Sequence, residues 1–213
     1  MTRPLPTRLY HFTHVDHLAS IMRDGLVCDS AAHAPGRLTT EVGNTSVKEL
    51  RRRQPVGAGP GGYVADYAPF YFTARNLMLY QIHTGKVPTY QGGQDGLVFL
   101  CTTLERVIQS GHAWVASNRN AATSIAVFTS DLAALDAHVD WPLATNSTFN
   151  RTDDDPERPQ RHQAELLVHG RLPWADVLFV GARDRSVLRR VESVVTTLEG
   201  HQPGRDVRPD WYF

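Results

Sequence analysis

The chain has 213 residues, 41% of them apolar, and 22 acidic residues balance 22 basic ones. That length suits one domain with a sizeable core, and zero net charge excludes a protein that grips nucleic acid by global attraction, though not one holding a few nucleotides locally. No run approaches the roughly 20 apolar residues that span a bilayer, and the opening Met-Thr-Arg-Pro-Leu-Pro has no apolar stretch behind it to act as a secretion signal. The expectation is a cytoplasmic protein without membrane attachment, with Cys28 and Cys101 as free thiols.

In chain order, Arg8 to Phe12 reads as a short strand. Thr13 and Asp16 have capping-box spacing before an apolar helical face of Val15, Leu18, Ile21 and Met22, which Gly25 stops. Val27 begins a second extended piece. Residues 30–64 lose periodicity apart from a short helix around Ser46–Arg53, and a long irregular segment in a compact protein points to a covering or binding loop. The basic run Lys48, Arg51, Arg52 and Arg53 reads equally well as a solvated face. Phe70-Tyr71-Phe72 is a strand, and a helix from Arg75 to His83 has Thr73 as its candidate cap. Gly96 to Cys101 is a buried strand. A short helix over Thr103–Ser110, a strand over His112–Ala116 and a helical turn over Asp131–His138 follow.

Residues 141–164 form a second polar, irregular stretch that leads into a strand at Gln163-Ala164-Glu165-Leu166-Leu167-Val168. After it come a strand at Asp176–Val180, a helix with Val187, Val191, Val194 and Leu198 on one face, and an extended Trp211-Tyr212-Phe213 that closes a sheet edge. The pattern predicts an α+β domain over residues 1–213. No glycine-rich dinucleotide or phosphate-loop motif occurs, and the ten histidines carry no metal-ligand spacing.

Three places can carry chemistry. Glu165 sits at a strand start, where burial of a carboxylate costs several kcal/mol unless it has partners. It is either a salt-bridged surface residue or a carboxylate that fixes a ribose hydroxyl and accepts a proton. His11 at a strand end is either satisfied by backbone or, with Thr13, reads an amide or a ribose hydroxyl. Tyr71 and Phe72 are either core or a stacking flank. Arg75 beside them needs an anionic partner, which a phosphate or the catalytic carboxylate would supply.

Three blocks together resemble the DarT family of toxins, which ADP-ribosylate single-stranded DNA. They are Tyr10-His11-Phe12-Thr13 with Leu18, Ile21, Gly25 and Leu26; the block from Tyr67 to Tyr80; and Gln163 to Val168. The resemblance runs over nearly the whole chain in the family's order. The first block alone is shared with other ADP-ribosyltransferases and with RNA 2′-phosphotransferase-like proteins. The resemblance implies an ADP-ribosyltransferase fold, a split mixed β-sheet with flanking helices and NAD in a central cleft. It implies that His11, Thr13, Gly25, Leu26, Tyr71 and Arg75 bind NAD, with residues 30–64 covering it. It makes Glu165 the catalytic glutamate, with Arg75 at the reacting centre. It gives the loop 141–164 to recognition of the DNA base, with Tyr80, Asn146, Ser147, Thr148 and His162 as contacts. A polar helper is expected within 117–123, with Asn118 and Asn120 as candidates. Thymine is favoured over guanine as the target, a macrodomain antitoxin is the expected partner, and the protein is expected as a monomer. The alternatives are an ADP-ribosyltransferase or 2′-phosphotransferase-like enzyme acting on guanine in DNA, on RNA or on protein, and a non-enzymatic nucleotide-binding module.

Overall fold

The computed structural model describes residues 2–33, 37–197 and 200–213. In chain order the elements are β1 (Arg8–His14), α1 (Leu18–Asp24), β2 (Leu26–Val27), α2 (Asp29–Ala32), α3 (Thr45–Arg53), β3 (Tyr67–Tyr71), α4 (Leu77–His83), β4 (Leu97–Thr103), α5 (Leu104–Gln109), β5 (Trp114–Ser117) and β6 (Phe128–Thr129). They continue with α6 (Leu135–His138), α7 (Trp141–Ala144), α8 (Arg158–His162), β7 (Glu165–His169), β8 (Arg171–Leu172), β9 (Phe179–Ala182), α9 (Arg185–Val195) and β10 (Gly204–Val207). The large sheet runs in the order β10-β9-β4-β1-β3-β7-β5-β6; β2 and β8 form a small one beside it. All neighbours in the large sheet are antiparallel except β9 and β10, so it is mixed.

The sheet is nearly divided in the middle. β1 pairs with β4 along its whole length, from Arg8↔Thr103 to His14↔Leu97, but its register with β3 is the single pair Tyr10↔Tyr71. The alternation of side chains explains why the halves part on one face and hold on the other. Val98 and Leu100 of β4 and Leu166 and Val168 of β7 share one buried cluster with α1 and α9. On the opposite face, Leu97, Phe99 and Cys101 pack with α4 and Trp211, whereas Leu167 packs with Tyr67 and Val115 in a separate cluster. One continuous core therefore joins the halves, and two separate cores leave a cleft between them.

Several sequence expectations change here. Thr13 caps no helix: β1 continues to His14, whose side chain accepts from the Asp16 N–H, and the Thr13 hydroxyl is engaged with His17. The helix after the aromatic block starts at Leu77, and Asn76 is its cap, accepting from the Leu79 N–H at 3.0 Å, so Thr73 has no such role. The 141–164 stretch holds α7 and α8. Pro142 and Pro159 lie in their first turns, where a missing N–H costs nothing. The sheet edge is β10, not the terminal aromatics: Trp211 ends a 3₁₀ turn, and its ring fills the space that Gly181 leaves by having no side chain. The face of α9 is built from Val187, Val191 and Val195, with Val194 packed against it; Leu198 lies outside the described residues. Cys28 and Cys101 are both free and buried.

Candidate active site

Where β1 and β3 separate, His11 spans the gap. Its Nδ1 lies 2.8 Å from the Pro69 carbonyl, and since a carbonyl only accepts, Nδ1 carries the proton. Burial lowers the His11 pKa to about 4, so the ring is neutral and its Nε2 is an acceptor. Thr13 follows two residues on, with its hydroxyl 2.9 Å from His17 Nδ1. Both line a cavity of about 230 Å³ together with Phe12, Gly25, Leu26, Val47, Arg51, Tyr71 and Met78. Gly25 is required at its corner: its φ is +84°, and an added Cβ would stand 2.8 Å from the Leu172 carbonyl oxygen, because β2 turns there to pair Leu26 with Leu172.

Glu165 is 1% exposed, which removes the surface reading. Its carboxylate accepts from Arg51 Nη1 at 2.8 Å through Oε2 and at 3.2 Å through Oε1, and Oε1 also accepts from the Ala121 N–H at 3.1 Å. Its own N–H donates to Ser117 Oγ at 3.1 Å. The register Tyr71↔Glu165 brings both side chains to one face of the sheet. Burial, followed by the charge of Glu165, pushes the Tyr71 phenol up and keeps it a donor. Burial opposes the Arg51 cation, yet the Glu165 carboxylate outweighs it and the net shift is upward. The Arg51 guanidinium and the Ala121 N–H thus offset the desolvation of the carboxylate.

Arg51 is the residue that sequence reasoning missed. It sits in the basic run read as a solvated face, and Arg52 and Arg53 do face outward, whereas Arg51 is 9% exposed. The available signal was Val47 four residues before it: an i,i+4 pair on one helical face, and both side chains line the cleft. α3 is aimed by its Asn44 cap and by Lys48, whose Nζ reaches Asp29 and Glu41 at 2.7 Å each.

Arg75 does not meet Glu165, as the sequence suggested it could. Its guanidinium lies 4.4 Å over the ring of Phe213, outside the cleft lining, and Arg51 holds the carboxylate instead. Tyr80 stands next to it, edge-on to Phe213 at 5.2 Å and to Phe149 at 5.6 Å. His162 is buried and bonds the Asn146 carbonyl at 2.8 Å, so it ties the two ends of the 141–164 loop together and is not open to a substrate. Asn146, Ser147 and Thr148 are exposed just after α7, where Asn146 Oδ1 accepts from the Thr148 N–H at 2.9 Å. In the 117–123 segment the direct contacts to Glu165 come from Ser117 and the Ala121 backbone. Asn118 bonds Val127 and Asn120 bonds Gln163 and Ala122, so both are structural. In the acidic run Asp153-Asp154-Asp155, Asp155 points to Arg161, which removes one of its charges from the loop surface. No cluster of metal-ligating side chains occurs among the described residues.

A neutral acceptor histidine and a threonine hydroxyl lining a cleft in a split sheet, with a glutamate pinned to the cleft arginine, fit a nucleotide-handling transferase. Residues 10–213 match the family model described as ssDNA thymidine ADP-ribosyltransferase, DarT. The DNA ADP-ribosyl transferase of Mycobacterium tuberculosis is 36% identical over 99% of this chain and 91% of its own length. The enzyme of the same description from Thermus sp. is 33% identical over 100% and 99%. Solved structures agree: Thermus sp. 2.9 DarT in complex with ADP-ribosylated ssDNA superposes with a TM-score of 0.92 at 32% identity, covering 100% of this chain and 99% of that one. The same enzyme in complex with NAD+ gives 0.87 at 32% identity and full coverage of both. The chain belongs to the DarT family of single-stranded DNA thymidine ADP-ribosyltransferases, and the expected ADP-ribosyltransferase fold is present.

Proposed function

We propose that this chain transfers ADP-ribose from NAD to thymine in single-stranded DNA and that Glu165 is its catalytic residue. The observation that carries the reading is a buried carboxylate, held by the Ala121 N–H and by Arg51, which lines the cleft together with His11, Thr13 and Tyr71, the register partner of Glu165. The residues fit NAD. Nε2 of His11 accepts from a ribose hydroxyl or a carboxamide N–H, and the Thr13 hydroxyl donates, while Phe12 and Met78 supply apolar walls. When bound, NAD supplies the ADP-ribose and nicotinamide leaves.

Glu165 stabilises the positive charge that develops at the ribose carbon by accepting from the 2′ hydroxyl, and takes the proton that the thymine ring nitrogen loses as it bonds to that carbon. Arg51 and Ala121 hold the carboxylate so that this costs little reorganisation. The segment 37–53 covers the cleft. The 141–164 loop carries the base, with Asn146, Ser147 and Thr148 exposed just after α7 and Arg75 and Tyr80 beside it for the DNA strand. An unpaired strand spares the unstacking that a duplex would impose. A macrodomain partner that removes ADP-ribose from the base completes the reading, and the protein acts as a cytoplasmic monomer; no helix among the described residues is long and apolar enough to cross a membrane.

The test is incubation with labelled NAD and oligonucleotides in which each base is permuted, against RNA and protein. Label is expected only on thymine-containing single-stranded DNA, and its absence from DNA under every permutation defeats the proposal.

A further inference from the structure

His17 is absorbed by none of the roles above, yet it is 5% exposed and makes three polar contacts that join the cleft floor to the covering segment. Its Nε2 lies 3.3 Å from the Thr39 N–H and 3.1 Å from the Thr40 N–H, and both groups can only donate. Nε2 must therefore be unprotonated, which puts the ring proton on Nδ1, 2.9 Å from Thr13 Oγ1. That proton fills an acceptor site of the Thr13 hydroxyl and leaves the hydroxyl hydrogen free to be donated elsewhere. The tautomer of His17 thus decides two things together: that Thr13 acts as a donor in the cleft, and that residues 39 and 40 are held down.

The structure assigns His17 as a positioning residue that, in its neutral Nδ1–H form, latches the covering segment over the cleft and orients the Thr13 hydroxyl, so that protonation of its Nε2 releases both. The inference rests on the cleft being the NAD site. Other contacts hold the segment only on either side of the latch. Ser20 Oγ donates to the Arg37 carbonyl at 3.1 Å, and Thr89 Oγ1 to the Gly43 carbonyl at 2.9 Å. A protonated Nε2 would point a third hydrogen at two N–H groups, with no acceptor between them.

The surroundings favour the neutral form. Burial lowers the His17 pKa, and the charges facing it are mixed: His14 and Lys48 lower it further, and Asp16 and Glu41 raise it. His11, also neutral, stands on the same strand as Thr13. Because the folded value lies below the free value, the latch is complete above ordinary histidine titration and is lost as pH falls through the lowered pKa.

Hydrogen exchange at the Thr39 and Thr40 amides, corrected for the intrinsic effect of pH, reads the latch directly. In the wild type both amides are expected to be protected at about pH 7.5 and to lose protection at the acid end of a titration carried well below the ordinary histidine range. The Kd for NAD is expected to rise about fivefold to thirtyfold over the same change, the equivalent of one or two kcal/mol. In His17→Gln a side-chain oxygen takes the place of Nε2 and cannot titrate, so protection and affinity should be alike at both pH values. In His17→Asn the shorter amide still reaches Thr13 but not the segment, and the amides should exchange freely at both. Unchanged wild-type protection on acidification, or the same acid loss in His17→Gln, overturns the assignment. Failure of the wild type to bind NAD at about pH 7.5 counts instead against the cleft as the NAD site, while the amide exchange still decides the role of His17.

Discussion

Arg51 and Glu165 form an ion pair with side-chain exposures of 10% and 2%, and almost everything specific about this cleft depends on how that pair is kept. Nη2 of Arg51 is buried without a hydrogen-bond partner, so the guanidinium already spends its contact on one side only. Removing the carboxylate altogether leaves an uncompensated buried cation, which costs about 3–5 kcal/mol. Glu165→Ala is therefore expected to lose transfer and also to lower stability by that amount in urea denaturation. Glu165→Gln keeps an acceptor for Arg51 and for the Ala121 N–H, and should lose transfer with a smaller drop. An alanine variant as stable as the wild type would show that Arg51 finds another partner. Replacing both residues with apolar ones of similar volume should recover much of the stability and none of the transfer, which separates the structural from the catalytic contribution.

Among the elements, the joint between α5, the β5 entry and the turn before β9 is held by one carboxylate. Asp176 is 5% exposed and accepts from Arg106 Nε at 2.7 Å, Ser110 Oγ at 2.7 Å and His112 Nε2 at 2.6 Å. Burial pulls its pKa upward, and the bonds from His112, Ser110 and Arg106 together overcome that, so the net shift is downward from 3.8. A carboxyl whose folded value is depressed contributes stability that is complete above its unfolded pKa and disappears as pH falls through the folded one. Asp176→Asn is thus expected to cost about 1–3 kcal/mol near neutrality and to flatten the loss of stability below about pH 4, measured by thermal unfolding across pH. An equally steep acid limb in the variant would place that titration elsewhere.

The same scale shows what the sequence made readable. β3, β4 and β7 carry apolar runs because most of their side chains are buried; the sequence places β1, β4 and β7 to within about two residues and finds β3 only from Phe70 onward, although the strand starts at Tyr67. β10 escaped because Gly204 and Asp206 of this edge strand face solvent and leave no alternation to see. Glu165 was visible as a charge out of place in such a run. Arg51 was not, because beside Arg52 and Arg53 its spacing from Val47 is the one local hint, and tertiary packing decides which guanidinium of the run is buried.

The molecule as a whole carries no net charge, so its hold on DNA must come from a few local cations. Around the 141–164 loop two arginines are already committed: Arg119 to Glu157, and Arg161 to Asp155 and Asp140. Arg75, Arg151 and Arg158 form no ion pair among the described residues, and Arg75 rests on Phe213 with its charge uncancelled. The exposed Asp153 and Asp154 beside them work against any further phosphate contact. Each phosphate neutralised on a single strand contributes about −0.7 to the slope of log K against log salt, so two or three cations predict a slope of roughly −1.4 to −2. Titration of a thymine-containing oligonucleotide across salt concentrations measures this directly, and Arg75→Ala should reduce the slope by about 0.7 while weakening binding to all sequences alike. A slope of about −4 or steeper would mean that an extended basic track engages the strand. That would contradict a site in which the loop and its base pocket, and not the charge of the molecule, select what is modified.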